Sequence, residues 1–166
     1  MDSIITCLKE SGYDSLNKLQ QDIRRIILDM MIDKEESVSY DEVRSESKRK
    51  GIDIKLVNLT LEKFEEEHYF VNDDSDIIFM YPVSSKATNH RVKLADGREF
   101  YAMCAIDSLG SAVTFDQDIE INSKCMMTQK DICVKVKDGK IESTNNQDIR
   151  VLHVNMDNYS NWASSC

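Results

Sequence analysis

The segment that most constrains this chain runs from Thr88 to Gly110, TNHRVKLADGREFYAMCAIDSLG. Apolar and polar residues alternate from His90 to Leu94 and again from Arg98 to Met103. Between the runs stands Ala95-Asp96-Gly97, where Gly97 supplies the positive φ of a tight turn, and the pattern predicts a β-hairpin. Strand formers then give way to Cys104-Ala105-Ile106-Asp107-Ser108-Leu109-Gly110. This predicts a short helix closed by Gly110 as its C-cap. Cys104 then lies in the first helical turn, where unpaired N–H groups and the positive dipole end favour a thiolate. Asp107 follows three residues on, on the same helix face. A nucleophilic sulfur beside a carboxyl proton donor is a reactive arrangement. A cysteine between a strand and a helix is, however, more often a small buried hydrophobe, and an aspartate in a short helix is usually solvated. Spacing alone leaves both readings open.

Upstream the periodicity is helical. Asn17 to Ile32 sets Leu19, Ile23, Ile26, Ile27, Met30 and Met31 at helical spacing. Ser39 followed by Glu42 is a capping box that starts a second helix, which runs to about Lys50 and stops at Gly51. Asp53 caps a third, from Ile54 to about Glu67, with Leu56, Leu59, Leu61 and Phe64 apolar. Tyr69-Phe70-Val71 and Ile77 to Tyr81 flank a polar turn and predict a hairpin. Three helices and a two-stranded wing read as a winged helix-turn-helix-like domain over residues 17–82, after a lead-in of residues 1–16. Such folds often read DNA through the third helix. Here that helix carries Glu62, Glu65, Glu66 and Glu67 against Lys63, and four acids repel phosphate. The expectation is a scaffold with no nucleic-acid partner.

Pro82, the only proline, opens a boundary, and β character dominates beyond it. Strands are expected at Ala112 to Phe115, Asp118 to Ser123, Ile132 to Lys137, Lys140 to Glu142 and Ile149 to Val154. Asp138-Gly139 gives a type I′ turn signal. The expected class is therefore α+β, a winged-helix-like domain followed by a mixed β-sheet domain over residues 83–166.

Charge and cysteine usage bound the function. A net charge of −9 over 166 residues argues against phosphate backbones and anionic membrane surfaces as partners. No run approaches a membrane span, and the N-terminus has neither a basic n-region nor an extended apolar h-region, so no signal peptide is expected. Cys7, Cys104, Cys125, Cys133 and Cys166 are odd in number, widely spaced and without a CxxC. That pattern fits reduced thiols in a cytoplasm better than a disulfide framework or a structural zinc site.

Tyr101-Ala102-Met103-Cys104-Ala105-Ile106-Asp107-Ser108-Leu109 resembles the most telling segment of the alkylmercury lyases, an aromatic or aliphatic stretch followed by Cys-Ala-(Leu/Ile)-Asp-(Thr/Ser)-Leu. Ser123-Lys124-Cys125 resembles the family's second cysteine context, and Trp162 with Cys166 resembles its third. The resemblance spans roughly residues 15–166, with order and approximate spacing preserved. It implies a winged-helix-like N-terminal region before a mixed β domain. It further implies that Cys104 and Cys166 are catalytic cysteines, that Asp107 is the catalytic aspartate, and that all three contact the metal. Cys125 then corresponds to a buried supporting cysteine, while Cys7 and Cys133 match nothing functional. Family members continue past the last cysteine, so the chain reads as C-terminally short. A recoded UGA codon for selenocysteine is one reading of such an end.

The implied activity is organomercurial lyase chemistry, in which a carbon–mercury bond is cleaved to a hydrocarbon and Hg(II). Mercury(II) is soft and prefers thiolates. One thiolate binds R–Hg⁺, a second pushes electron density toward carbon, and a nearby acid protonates it. No organic cofactor is expected, because the metal arrives with a small organometallic substrate. Low-molecular-weight thiols or a metal-accepting protein would remove the product. A non-catalytic soft-metal or organometal binding protein, and a winged-helix regulator with a metal-sensing domain, are the alternatives.

Overall fold

A computed structural model describes residues 12–146 and 148–151. The chain divides into two compact units, one up to Lys86 and one from Ala87 onward.

In the first unit a 3-10 turn, Gly12–Ser15, precedes helix α1, Lys18–Lys34. Asn17 caps α1 and Gln20 returns the bond to the Asn17 backbone, a reciprocal capping box that satisfies two otherwise orphaned donors. Ile23, Ile26, Ile27, Met31 and Ile32 form its buried stripe. The expected Ser39–Glu42 capping box starts α2, Tyr40–Arg49, and Asp53 caps α3, Ile54–Glu66. Gly51, at φ +81°, makes the turn between them.

Strand β1, Val38–Ser39, runs antiparallel to β3, Asp76–Met80, which also pairs with β2, Phe70–Asp73, and with β4, Val83–Ser84. Val43, Val57, Leu61, Phe64, Ile77, Phe79 and Met80 are sealed between helices and strands. On α3, Glu62, Glu65 and Glu66 stand exposed, and Glu67 follows at its C-cap, so the acids face solvent.

The second unit is an antiparallel sheet crossed on one face by a helix. Its strands are β5, His90–Leu94; β6, Glu99–Ala102; β7, Ile119–Lys124; β8, Asp131–Lys137; and β9, Lys140–Thr144. Among the described residues their order is β6-β5-β7-β8-β9. Gly97, at φ +92°, makes the β5–β6 turn as expected, while Asp138 (φ 48°) and Gly139 (φ 69°) make the β8–β9 turn. Val92, Leu94, Phe100, Ala102, Ile119 and Ile121 line the buried face. Helix α4, Ala105–Phe115, covers it, with the Phe100 and Phe115 ring centroids 5.4 Å apart.

Three expectations fail here. Gly110 does not end the helix, and Ala112 to Phe115 is not a strand but its last turn; the helix ends at Asp116 in the left-handed region, φ 51°. The reason lies in the buried face, which is made of Asp107, Ser108, Gly110, Ser111 and Ala112 as well as Phe115. Small and polar residues let the helix lie close to the sheet but hide its periodicity. Ile149, Arg150 and Val151 form no strand, and the remainder of the expected strand to Val154 lies outside the described residues. No helix among the described residues is long and apolar enough to cross a membrane.

Candidate active site

Strand β6 ends at Ala102, whose carbonyl accepts a 2.5 Å hydrogen bond from the Thr88 hydroxyl ahead of β5. Two residues later Cys104 is the N-cap of α4, with an extended backbone (φ −142°, ψ 177°). It is the residue before the first helical turn rather than inside it. Its side chain caps no backbone N–H, as a serine or aspartate would. Asp107 occupies the third helical position and reaches back, so that its carboxyl accepts from both the Cys104 backbone N–H and the Cys104 thiol. The local geometry is half of a capping box.

This arrangement buries the carboxyl. Asp107 is 8% exposed, whereas Cys104 is half-buried. Burial pushes the Asp107 pKa up to about 7, and the two bonds from Cys104 partly oppose the rise. Ser111 donates to the Asp107 carbonyl at 3.0 Å and fixes the next turn. The sequence expectation of a sulfur and a carboxyl on one helix face thus has a specific form, in which a thiol proton points at a buried, proton-hungry carboxylate. A group with a pKa near neutrality can both accept and return a proton at physiological pH.

Cys125 departs from the expectation of a buried support. It is half-exposed at the end of β7, opening the hairpin to β8. Its sulfur accepts from the Thr128 hydroxyl, the Thr128 N–H and the Met127 N–H, and these bonds hold its pKa below the usual thiol value. The sequence signal was a cysteine followed at the third position by threonine, the spacing of a side-chain-to-backbone turn. Cys133 sits half-exposed in β8 opposite Asn122. Cys104, Cys125 and Cys133 carry reduced thiols; Cys7, Cys166 and Trp162 lie outside the described residues. Among the described residues no three His, Cys, Asp or Glu side chains converge as a metal cluster. Of the three expected metal-contacting residues, the structure therefore brings together Cys104 and Asp107.

A family model described as alkylmercury lyase, MerB, matches residues 83–166, half of the chain. The chain belongs to the alkylmercury lyase family. No curated protein sequence matches it. Among solved structures it is similar to the mercury-bound form of MerB2, at 26% identity and a TM-score of 0.58, over 86% of this chain and 65% of that one. The chain thus spans less than two thirds of that relative. The matched alkylmercury lyase region contains β5 to β9, α4 and the Cys104–Asp107 pair.

Proposed function

We propose that this chain is an organomercurial lyase that uses Cys104 as the first thiolate and Asp107 as the proton carrier. The observation that supports this most is the Cys104 thiol donating to a buried carboxylate with a pKa near 7. When R–Hg⁺ binds sulfur, the thiol proton moves to Asp107. The carboxylic acid then protonates the carbon, the carbon–mercury bond breaks, R–H leaves, and Hg(II) stays on sulfur beside the regenerated carboxylate. Mercury's preference for soft sulfur explains the cysteine, and the short reach from the third helical position explains the aspartate. No organic cofactor takes part. The substrate is a small organometallic compound, and exchange with low-molecular-weight thiols or a metal-accepting protein clears the product.

The remaining assignments rest on the family pattern. Cys166 is the second thiolate and a further mercury ligand. Residues 17–82 are a winged-helix-like scaffold following a lead-in, and residues 83–166 are the catalytic domain. The acidic exposed face of α3 supports a scaffold over a DNA-reading regulator, and the setting is the reduced cytoplasm. A soft-metal binding protein without turnover is the second reading, because a soft thiolate such as Cys104 can hold mercury without breaking its bond to carbon.

The deciding experiment is hydrocarbon release from a simple organomercurial with excess thiol. The parent should release hydrocarbon, and Cys104→Ser should release none, because an oxygen ligand is too hard for mercury. A parent that holds the organomercurial and releases nothing makes the second reading the correct one.

A further inference from the structure

The hairpin that follows β7 is not used by the chemistry above. Cys125 N–H donates to the Lys130 carbonyl at 2.9 Å, and the Cys125 carbonyl accepts from Gln129 N–H at 2.8 Å, so the four residues between Cys125 and Lys130 form a closed loop. Within it Met126 and Met127 are 76% and 90% exposed. Thioether side chains this exposed contribute little to any core, yet they are soft, polarisable donors. Asn89 Nδ2 lies 3.8 Å from Met126 Sδ and orients that sulfur.

The position of the loop matters as much as its composition. Lys124 N–H donates to the Asn89 carbonyl at 3.2 Å, and Ser123 pairs with His90, so the hairpin sits beside the start of β5. Cys104 follows β6, the other neighbour of β5, at the same end of the sheet. Cys104 and Cys125 therefore leave the two strands that flank β5, roughly 10 Å apart at two interstrand spacings. Cys125, Met126 and Met127 thus place three sulfur-bearing residues at consecutive positions of the hairpin, two strands from Cys104.

We propose that Cys125, with Met126 and Met127 beside it, is a capture site for thiol-bound organomercury, from which the R–Hg group passes to Cys104; this last step rests on the lyase reading. The Cys125 thiolate attacks mercury in R–Hg–SR′. The new mercury–sulfur bond forms as the bond to R′S breaks, R′S⁻ leaves and takes a proton from water, and the carbon–mercury bond stays intact. Cys104 sulfur then displaces Cys125 in the same way, and its proton goes to Asp107. Nothing is oxidised or reduced in either exchange. The three donors to Cys125 from Met127 and Thr128 stabilise the thiolate that attacks first.

The test uses the full chain and ethylmercury supplied as its glutathione thiolate, with free glutathione in excess. Ethylmercury retained after gel filtration is counted by mass spectrometry for Cys104→Ser and for Cys104→Ser/Cys125→Ser. The proposal expects the first to retain one equivalent more than the second, mapped to the Cys125 peptide. Equal retention, or an equivalent mapped elsewhere, overturns it. Thr128→Val, which keeps the thiol and removes one donor, should slow loading of Cys125 several-fold with the circular dichroism spectrum unchanged. An unchanged loading rate removes the hairpin from the mechanism. If the parent releases no ethane while the extra equivalent still maps to Cys125, the lyase reading fails and the capture site stands.

Discussion

The ends of β6 and β7 pose the same local problem and solve it in opposite senses. At each, a half-buried cysteine leaves a strand for a tight turn. At the end of β6 the turn becomes a helix, and the Cys104 thiol gives its hydrogen to Asp107. At the end of β7 the turn becomes a hairpin, and the Cys125 sulfur receives hydrogens from Met127 and Thr128. The first sulfur is a proton source coupled to a carboxylate; the second is an acceptor of hydrogen bonds from one hydroxyl and two backbone N–H groups. The difference teaches that the residue three positions on sets what a cysteine at a strand end can do. Aspartate there makes a proton carrier, and threonine there makes a nucleophile.

The largest expected effect breaks the β6 side of this contrast. Asp107→Asn keeps the side-chain shape and the hydrogen-bond acceptor but cannot carry the proton to carbon. General acid–base groups contribute about 10²- to 10⁴-fold, so hydrocarbon release should fall by that order while ethylmercury still loads Cys104. Release at the parent rate would mean that another group protonates the carbon.

A pH series sharpens the same point. In the loaded state Cys104 no longer donates its thiol hydrogen, and that bond is one of the interactions holding the Asp107 pKa down. The midpoint for proton delivery should therefore lie at or above about 7. Single-turnover release from preloaded protein should fall roughly tenfold per pH unit beyond it. A flat profile to pH 10 excludes Asp107 as the donor. The shift also affects stability. The fold raises this carboxyl's pKa from 3.8 to about 7, so the stabilisation is complete below pH 3.8 and is lost as pH rises through about 7. Asp107→Asn should thus gain melting temperature relative to the parent at pH 8, and less at pH 5.

Much of this contrast was legible in the sequence, and its limits have physical causes. Alternation and Gly97 located the β5–β6 hairpin, and Ser39, Glu42 and Asp53 marked two helix starts, because turns and caps depend on single residues with distinctive hydrogen bonding. The pairing of Cys104 with Asp107 followed from helical spacing. The true length of α4 did not, because Ser108, Ser111 and Ala112 pack against the sheet without an aliphatic signature. The burial of Asp107 was equally invisible, since an acid in a short helix is normally solvated. The partial exposure of Cys125 is not legible either, because burial depends on what covers a strand end, and local sequence does not state that.

Thiol labelling tests the two turns against each other by a smaller factor. The thiolate is the nucleophile, and Cys125 is the sulfur that receives hydrogen bonds. Limited iodoacetamide treatment followed by peptide mapping should label Cys125 several-fold faster than Cys104. Faster labelling of Cys104 would mean that the Asp107 carboxylate draws the thiol proton away in the resting protein.

The smallest effect is one of stability, and it asks what the cysteine at the start of α4 costs. Asp107 already returns a bond to the Cys104 backbone N–H, but the Cys104 side chain caps nothing in exchange. Serine would supply an oxygen able to accept from the Asp107 N–H and complete the capping box. Cys104→Ser should therefore raise unfolding stability by about 0.5–1 kcal/mol, measured in urea at pH 5.5, although it abolishes cleavage. Cys104→Ala, which has no acceptor, should show no such gain. The hairpin gives the internal control. Cys125→Ser keeps an acceptor for the same N–H groups and should change stability little, because that turn is already satisfied by sulfur. If Cys104→Ser is instead less stable than Cys104→Ala, the thiol-to-carboxylate bond contributes more to the fold than a helix cap does, and the β6 turn is held together by the same bond that carries its proton.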